Sequence, residues 1–226
     1  REGYAFAIRR HVSADLSLAD WEEANAFVDV EVGHSEFADE RRFRALTGRE
    51  AARHLGEAVR ARRNILVAGG TSTGKTTFLN ALLAEIAPEE RLILIEDTAE
   101  LHLRHANAVG LIAARGELSE ARISAEDLLI AALRMRPDRI ILGELRGVEA
   151  FTFLRAVNTG HPGSMTTIHA DTPQRAIEQL ALLVLQAGSK LNRDDVRHYV
   201  RESVDVFVQL ERRGGKRRVS RVLVAE

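Results

Sequence analysis

From Asn64 onward the chain alternates brief, uninterrupted apolar runs with longer stretches that carry one apolar face. The runs are Ile65 to Ala68, Leu92 to Ile95, Ile140 to Leu142 and Met165 to Ile168. Runs this short and this apolar suit strands covered on both faces, whereas a strand with one wet face would alternate apolar with polar. The segments between them, Lys75 to Ile86, Ser124 to Met135, Val148 to Val157 and Pro173 to Gln186, have helical length and spacing. Strand and helix in alternation predict a mostly parallel sheet sandwiched by helices, an α/β architecture. The style then changes: Val204 to Leu210 and Arg218 to Val224 flank Gly214-Gly215, which predicts an antiparallel hairpin at a sheet edge.

Residues 1–46 differ in character from the rest of the chain. Tyr4 to Ile8 reads as a short strand ending in Arg9-Arg10, and Ser17 with Asp20 three residues on reads as the cap of one helical turn around Trp21. Val28 to Phe37 has no clear period and reads as linker. Thr47-Gly48-Arg49-Glu50 is a capping-box pattern, after which Ala51, Leu55, Ala58, Val59 and Arg62 mark a helix with one apolar face. The expected division is 1–46 and 47–226. The chain opens on Arg1, not Met, and is read as a piece of something longer.

The densest chemistry lies in Gly69-Gly70-Thr71-Ser72-Thr73-Gly74-Lys75-Thr76, followed by Thr77. This is a complete G-x-x-x-x-G-K-[ST] loop between an apolar strand and a helix. Gly69 and Gly74 allow the sharp bends that turn successive N–H groups inward, the helix N-terminus adds its positive dipole end, and Lys75 reaches for the β- and γ-phosphates. Thr76 is placed to hold Mg²⁺. A nucleotide with Mg²⁺ is therefore the expected ligand pair.

Composition removes other classes. With 226 residues, 45% of them apolar and 29% charged, the chain can bury one full core. It has no cysteine, so disulfides, thiolate metal sites and a cysteine nucleophile are excluded. A net charge of -1 gives no overall attraction to nucleic acid or anionic lipid. Charges interrupt every apolar stretch well before the roughly 20 residues of a membrane span, and a cytoplasmic location is expected.

Further constellations surround the loop. Asp138 to Glu144 is an apolar strand ending in a carboxylate, where phosphate-loop enzymes keep the group that handles the metal and the attacking water. Gly143 stands where many such strands carry Asp, so Glu144 alone must polarise the water. Glu96-Asp97-Thr98-Ala99-Glu100 closes the preceding strand, with Glu96 and Glu100 as the candidates to face metal or water. Thr159 to Ala170 carries a histidine at each end of a glycine-bounded strand; His169, at its C-terminal end, is the better placed to sense a γ-phosphate, ahead of His161. An added cation could come from Arg9, Arg10, Arg134, Arg136 or Arg146.

Together the run Leu133 to Arg146, the acidic box Ile95 to Leu101 and the histidine box ending Thr167-Ile168-His169-Ala170 resemble the type II/IV secretion ATPase superfamily. Within it they are most similar to the hexameric traffic ATPases of type IV secretion and conjugation, the VirB-eleven-like branch. The resemblance spans about residues 60 to 225. It implies a RecA-like P-loop NTPase domain preceded by the remnant of an N-terminal domain, a homo-hexamer with ATP sites at subunit borders, and ATP hydrolysis to ADP and phosphate. It also implies the roles: Lys75 and Thr76 for phosphate and metal, Glu96 and Glu100 as the acidic box, Glu144 as the catalytic carboxylate, His169 as sensor, and Arg9 as the N-terminal domain's arginine. Partners would be other secretion components at the cytoplasmic face of the inner membrane, and the cargo protein or a protein–DNA complex. The alternatives are a pilus-retraction or type II secretion motor, the latter disfavoured by the missing cysteines, and a RecA-like nucleic-acid translocase.

Overall fold

Two faces of one sheet each bury their own apolar layer, as the uninterrupted runs require. The computed structural model describes residues 15–27, 30, 43–45, 48–102, 104–114 and 122–225. In chain order the elements are α1 (Leu18–Glu23), β1 (Phe43–Ala45), α2 (Gly48–Arg60), β2 (Ile65–Gly69), α3 (Lys75–Leu83), β3 (Leu92–Glu96), β4 (Ala108–Ile112) and α4 (Ala125–Ala132). There follow β5 (Arg139–Leu145), α5 (Glu149–Asn158), β6 (Met165–Ile168), α6 (Pro173–Gln186), α7 (Arg193–Ser203), β7 (Val206–Arg213) and β8 (Lys216–Ala225).

The strands form one sheet in the order β1-β8-β7-β2-β6-β5-β3-β4. All pairings from β7 across to β4 are parallel; β7 with β8 and β8 with β1 are antiparallel. Successive residues of β2 face opposite layers. Ile65 and Val67 join a core with Trp21, Phe27, Leu55, Phe78 and Leu82, while Leu66 and Ala68 join one with Leu129, Leu154, Ile177 and Val200. Every residue of β2, β3 and β6 is buried, the pattern of a strand covered on both sides.

Three features depart from expectation. The edge strand β4 is not among the predicted strands although Ala108-Val109-Gly110-Leu111-Ile112 is a non-polar run; Gly110 divides that run, and the strand is only partly buried. Helix α7 buries only Val196, Val200 and Ser203 along its length, leaving a mainly charged sequence that hid its apolar face. The C-terminal hairpin is not the outermost element along its whole length, because the three residues of β1 pair with Leu223, Val224 and Ala225 at the end of β8.

The Ser17–Asp20 box forms as the sequence suggested, with Asp20 N–H on Ser17 Oγ at 3.2 Å and Ser17 N–H on Asp20 Oδ2 at 2.6 Å. It fixes the turn that puts Trp21 edge-on against Phe78, ring centroids 4.9 Å apart. The Tyr4 to Ile8 strand, Arg9, Arg10, Thr47 and nearly all of the Val28 to Phe37 linker lie outside the described residues. Among the described residues no helix is long and apolar enough to cross a membrane.

Candidate functional site

At the C-terminal end of β2 the chain turns through the glycine-rich loop into α3. Gly74, the residue before α3, has φ +93°, a left-handed conformation that an L side chain resists. A Cβ at Gly69 would collide with the Thr73 hydroxyl, which instead donates to the Gly70 carbonyl at 2.9 Å and staples the loop. No side chain caps α3. Its first-turn residues Lys75, Thr76 and Thr77 line a cavity of about 530 Å³, so the positive end of the helix faces that space. The Lys75 ammonium donates to the Gly69 and Gly70 carbonyls at 3.0 and 3.3 Å. Burial pulls its pKa below the ordinary lysine value, with the Glu144 charge opposing that shift and Arg146 adding to it.

The acidic box divides its labour. Glu96, 8% exposed, accepts the N–H groups of Glu100 and Leu101 at 2.9 Å each through Oε1 and so folds its own loop. Burial pushes its carboxyl above the ordinary value, partly offset by those two donors. Glu100 lines the cavity and is half-buried. Asn80, on α3, ties this loop down from below: its amide donates to Glu100 O at 3.1 Å and accepts from His102 N–H at 2.9 Å. Sequence reasoning missed Asn80. Its only signal was a polar residue at an interior position of an apolar helix.

The third wall comes from β5. Pairing with β6 runs Leu142 to Thr166 and then Leu145 to Ile168, so β5 carries one extra residue at Gly143-Glu144. Bulges of this kind re-aim side chains beside functional sites. A Cβ at Gly143 would lie 3.3 Å from Glu96 Cγ, a tight contact that would press on the Glu96 side chain. The Thr167 hydroxyl donates to Gly143 O at 2.7 Å and secures the bulge. Glu144 lines the cavity with its Oε2 held by Arg146, whose Nε donates at 2.7 Å and whose Nη2 donates to the same oxygen. Arg146 Nη1 also reaches Asp97 Oδ2 at 3.2 Å. The carboxylate partner holds the Arg146 pKa above its usual value.

The candidate residues therefore sort by location. Lys75, Thr76, Glu96, Glu100, Glu144, Arg146 and His169 surround one cavity, and His169 is exposed at its rim. His161 sits at the other end of β6 and contacts Pro137 O at 3.2 Å, away from that cavity. Arg134 and Arg136, exposed just beyond α4, do not line it. Arg9 and Arg10 lie outside the described residues. The described residues contain no group of three His, Cys, Asp or Glu side chains poised around a metal. Thr76 with one or two carboxylates nearby is the sparse donor set that suits Mg²⁺, an ion that keeps several waters and takes its remaining ligands from phosphate.

A mostly parallel sheet with a glycine-rich phosphate loop at the C-terminal end of its central strand defines a RecA-like P-loop domain. More narrowly, the model of the Type II/IV secretion system protein family matches residues 44–214, and the chain belongs to that family. It is 44% identical over 180 residues to the type IV secretion system protein VirB11 of Bartonella quintana, covering 79% of this chain and 51% of that one. It is 37% identical over 227 residues to the conjugal transfer protein TrbB of Rhizobium radiobacter, covering 99% and 61%. Among solved structures it is similar to the VirB11 ATPase of the Brucella suis type IV secretion system in complex with sulphate, with TM-score 0.71, 34% identity, and coverage of 96% of this chain and 65% of that one. The chain thus spans about half to three fifths of the length of these curated relatives.

Proposed function

We propose that this chain is the catalytic part of an ATP-hydrolysing motor that powers a type IV secretion or conjugation machine. The observation that carries the reading is the convergence of Lys75, Glu144 and His169 on one cavity. They come from the ends of three neighbouring strands, β2, β5 and β6, above the uncapped N-terminus of α3. A triphosphate fits this arrangement: backbone N–H groups and a lysine face one side, and a carboxylate able to orient water faces the other. The names of the relatives, secretion and conjugal transfer proteins, support the cellular setting.

In this reading Lys75 exchanges its two loop carbonyls for the β- and γ-phosphates. Glu144, held by Arg146 through Oε2, directs its other oxygen to a water in line with the γ-phosphorus. The water oxygen bonds to phosphorus as the bond to the β,γ-bridging oxygen breaks. ADP leaves and the water proton passes to Glu144. Mg²⁺, bound through Thr76 and phosphate oxygens, would neutralise charge on the phosphates. Glu96 holds the acidic loop so that Glu100 faces the same space, and His169 can donate a hydrogen bond to the γ-phosphate. Assembly as a homo-hexamer at the cytoplasmic face of the inner membrane, with Arg9 acting on bound nucleotide, completes the proposal on the strength of the family relationship alone.

Two variants of the full-length protein test it. Lys75→Ala should lose measurable ATP binding. Glu144→Gln should keep ADP affinity while steady-state turnover falls by roughly 10²-fold or more. Turnover by Glu144→Gln at the wild-type rate would remove Glu144 from the chemistry.

A further inference from the structure

We propose that Arg217, on the C-terminal hairpin, is a further nucleotide-binding residue. Its guanidinium would grip the α- and β-phosphates from the flank opposite Glu144. The proposal rests on the nucleotide reading above and extends its site to an element that reading does not use.

Arg217 lines the same cavity as Lys75 and Glu144. Its stem lies directly on the phosphate loop: a Cβ at Gly74 would be 3.0 Å from Arg217 Cδ and 3.5 Å from Nε. The left-handed φ of Gly74 disfavours a side chain there, and the Arg217 stem lies over the open space it leaves. Among the described residues the Arg217 guanidinium has no ion-pair or hydrogen-bond partner, although its neighbour Arg218 is paired with Glu211. A cation beside an uncapped helix N-terminus is electrostatically unfavourable unless an anion joins them.

The backbone shows how the residue comes to be there. Pairing along the hairpin runs Gln209 to Arg221 and then Leu210 to Val219, so Ser220 is an extra residue in β8. Before this bulge the residues of β8 facing the α3 layer are the even-numbered ones, such as Val222; beyond it the parity switches and Val219 faces that layer. Two residues further along the strand, Arg217 inherits the same face, while Arg218 turns to the other side. Without the bulge Arg218 would be directed at the loop. The Val219 N–H also bonds Ala26 O at 2.9 Å, fastening this part of the hairpin to the turn that follows α1.

Sheet order gives the direction of the ligand. Glu144 and His169 approach the loop from β5 and β6 on one side of β2, and Arg217 approaches from β7 and β8 on the other. If the γ-phosphate points at Glu144, the rest of the nucleotide runs toward the hairpin. A planar guanidinium there meets the two phosphates that ADP and ATP share, and can bond both at once.

The test is titration calorimetry on full-length protein with ADP and with a non-hydrolysable ATP analogue. Arg217→Ala should weaken both ligands by the same factor, about tenfold or more for a lost charge-assisted contact. Arg217→Lys should recover part of the loss and Arg217→Gln none, which keeps the comparison decisive should the alanine variant melt early without nucleotide. Unchanged affinities in folded Arg217→Ala would overturn the proposal. So would a loss confined to the ATP analogue, since that places the contact at the γ-phosphate. Wild-type protein that fails to bind ADP would overturn the nucleotide reading itself, and this inference with it.

Discussion

Strand β5 carries an arginine–glutamate pair at each end, and the two do opposite things. At its start Arg139, fully buried, donates to both carboxylate oxygens of Glu90 at 2.8 and 2.6 Å, with a further bond to Val59 O at 2.8 Å. At its far end Arg146, 55% exposed, holds one oxygen of Glu144 beside the cavity. The chemistry of the partners is the same; the solvent is not. A charge with no access to water has no alternative partner, so the Arg139 pair is fixed in one geometry. A charge half in water can trade its partner for solvent or a phosphate at little cost. The sheet thus offers a locked end and an exchangeable end, and the proposed chemistry sits at the exchangeable one.

The largest effect should come from unlocking the locked end. Glu90→Ala leaves the Arg139 guanidinium buried without its carboxylate and should cost about 3–5 kcal/mol in denaturant unfolding. Arg62 Nη2, 3.1 Å from Glu90 Oε2, loses its partner too, but from an exposed position where little is at stake. Retention of wild-type stability by Glu90→Ala would show that the pair is dispensable and the contrast between the ends false.

A smaller effect is expected from cutting the tie beneath the acidic box. Asn80→Ala strips a partner from Glu100 O and from His102 N–H, both part-buried, for about 1–3 kcal/mol by urea unfolding. Nucleotide affinity should fall with it, because the loop that presents Glu100 loses its anchor. An Asn80→Ala protein as stable as wild type would mean that water replaces both bonds.

Acid should expose the same contrast. Hydrogen bonding from Arg139 holds the Glu90 carboxyl below its ordinary value of 4.5, against the opposing pull of burial. A depressed carboxylate contributes stability that is complete above that ordinary value and is lost as pH falls through the lower folded one. Wild-type melting temperature should therefore fall more steeply below about pH 4.5 than that of Glu90→Gln, which has no such proton to take up. Glu96, raised by burial, contributes the opposite slope in both proteins, so their difference isolates Glu90. Parallel curves would mean that Glu90 titrates alike folded and unfolded.

This locked end is also where sequence reading fell short. The phosphate loop, the central strands and the hairpin were legible because each is written in consecutive residues: a motif, an apolar run, a glycine pair. The Arg139–Glu90 pair joins positions 49 residues apart, and a polar residue heading a strand gives no sign that it will be buried. The bulges at Gly143-Glu144 and at Ser220 left no mark either, since one extra residue in a ladder is a property of two strands together. Glu144 was nameable from its place at a strand end. That Arg146 would hold it, and that Gly143 packs closely against the Glu96 side chain, required the fold.

The smallest effect on stability, and the sharpest test of the comparison, belongs to Arg146→Ala. An ion pair this exposed is worth about 1 kcal/mol at most, so denaturant unfolding should barely change. Turnover should not be spared. The guanidinium fork fixes the Glu144 carboxylate from one side and Asp97 from another, and freeing that carboxylate spreads it over rotamers that cannot orient water. Turnover number should fall by roughly ten- to a hundredfold, with ADP affinity little altered, since misplacement of a catalytic group acts on the chemical step. If Arg146→Ala instead unfolds as readily as Glu90→Ala, both ends of β5 are structural and the exchangeable pair is not one. If it is stable and turns over normally, Glu144 needs no partner to stay in place, and the ion pair has no part in the chemistry.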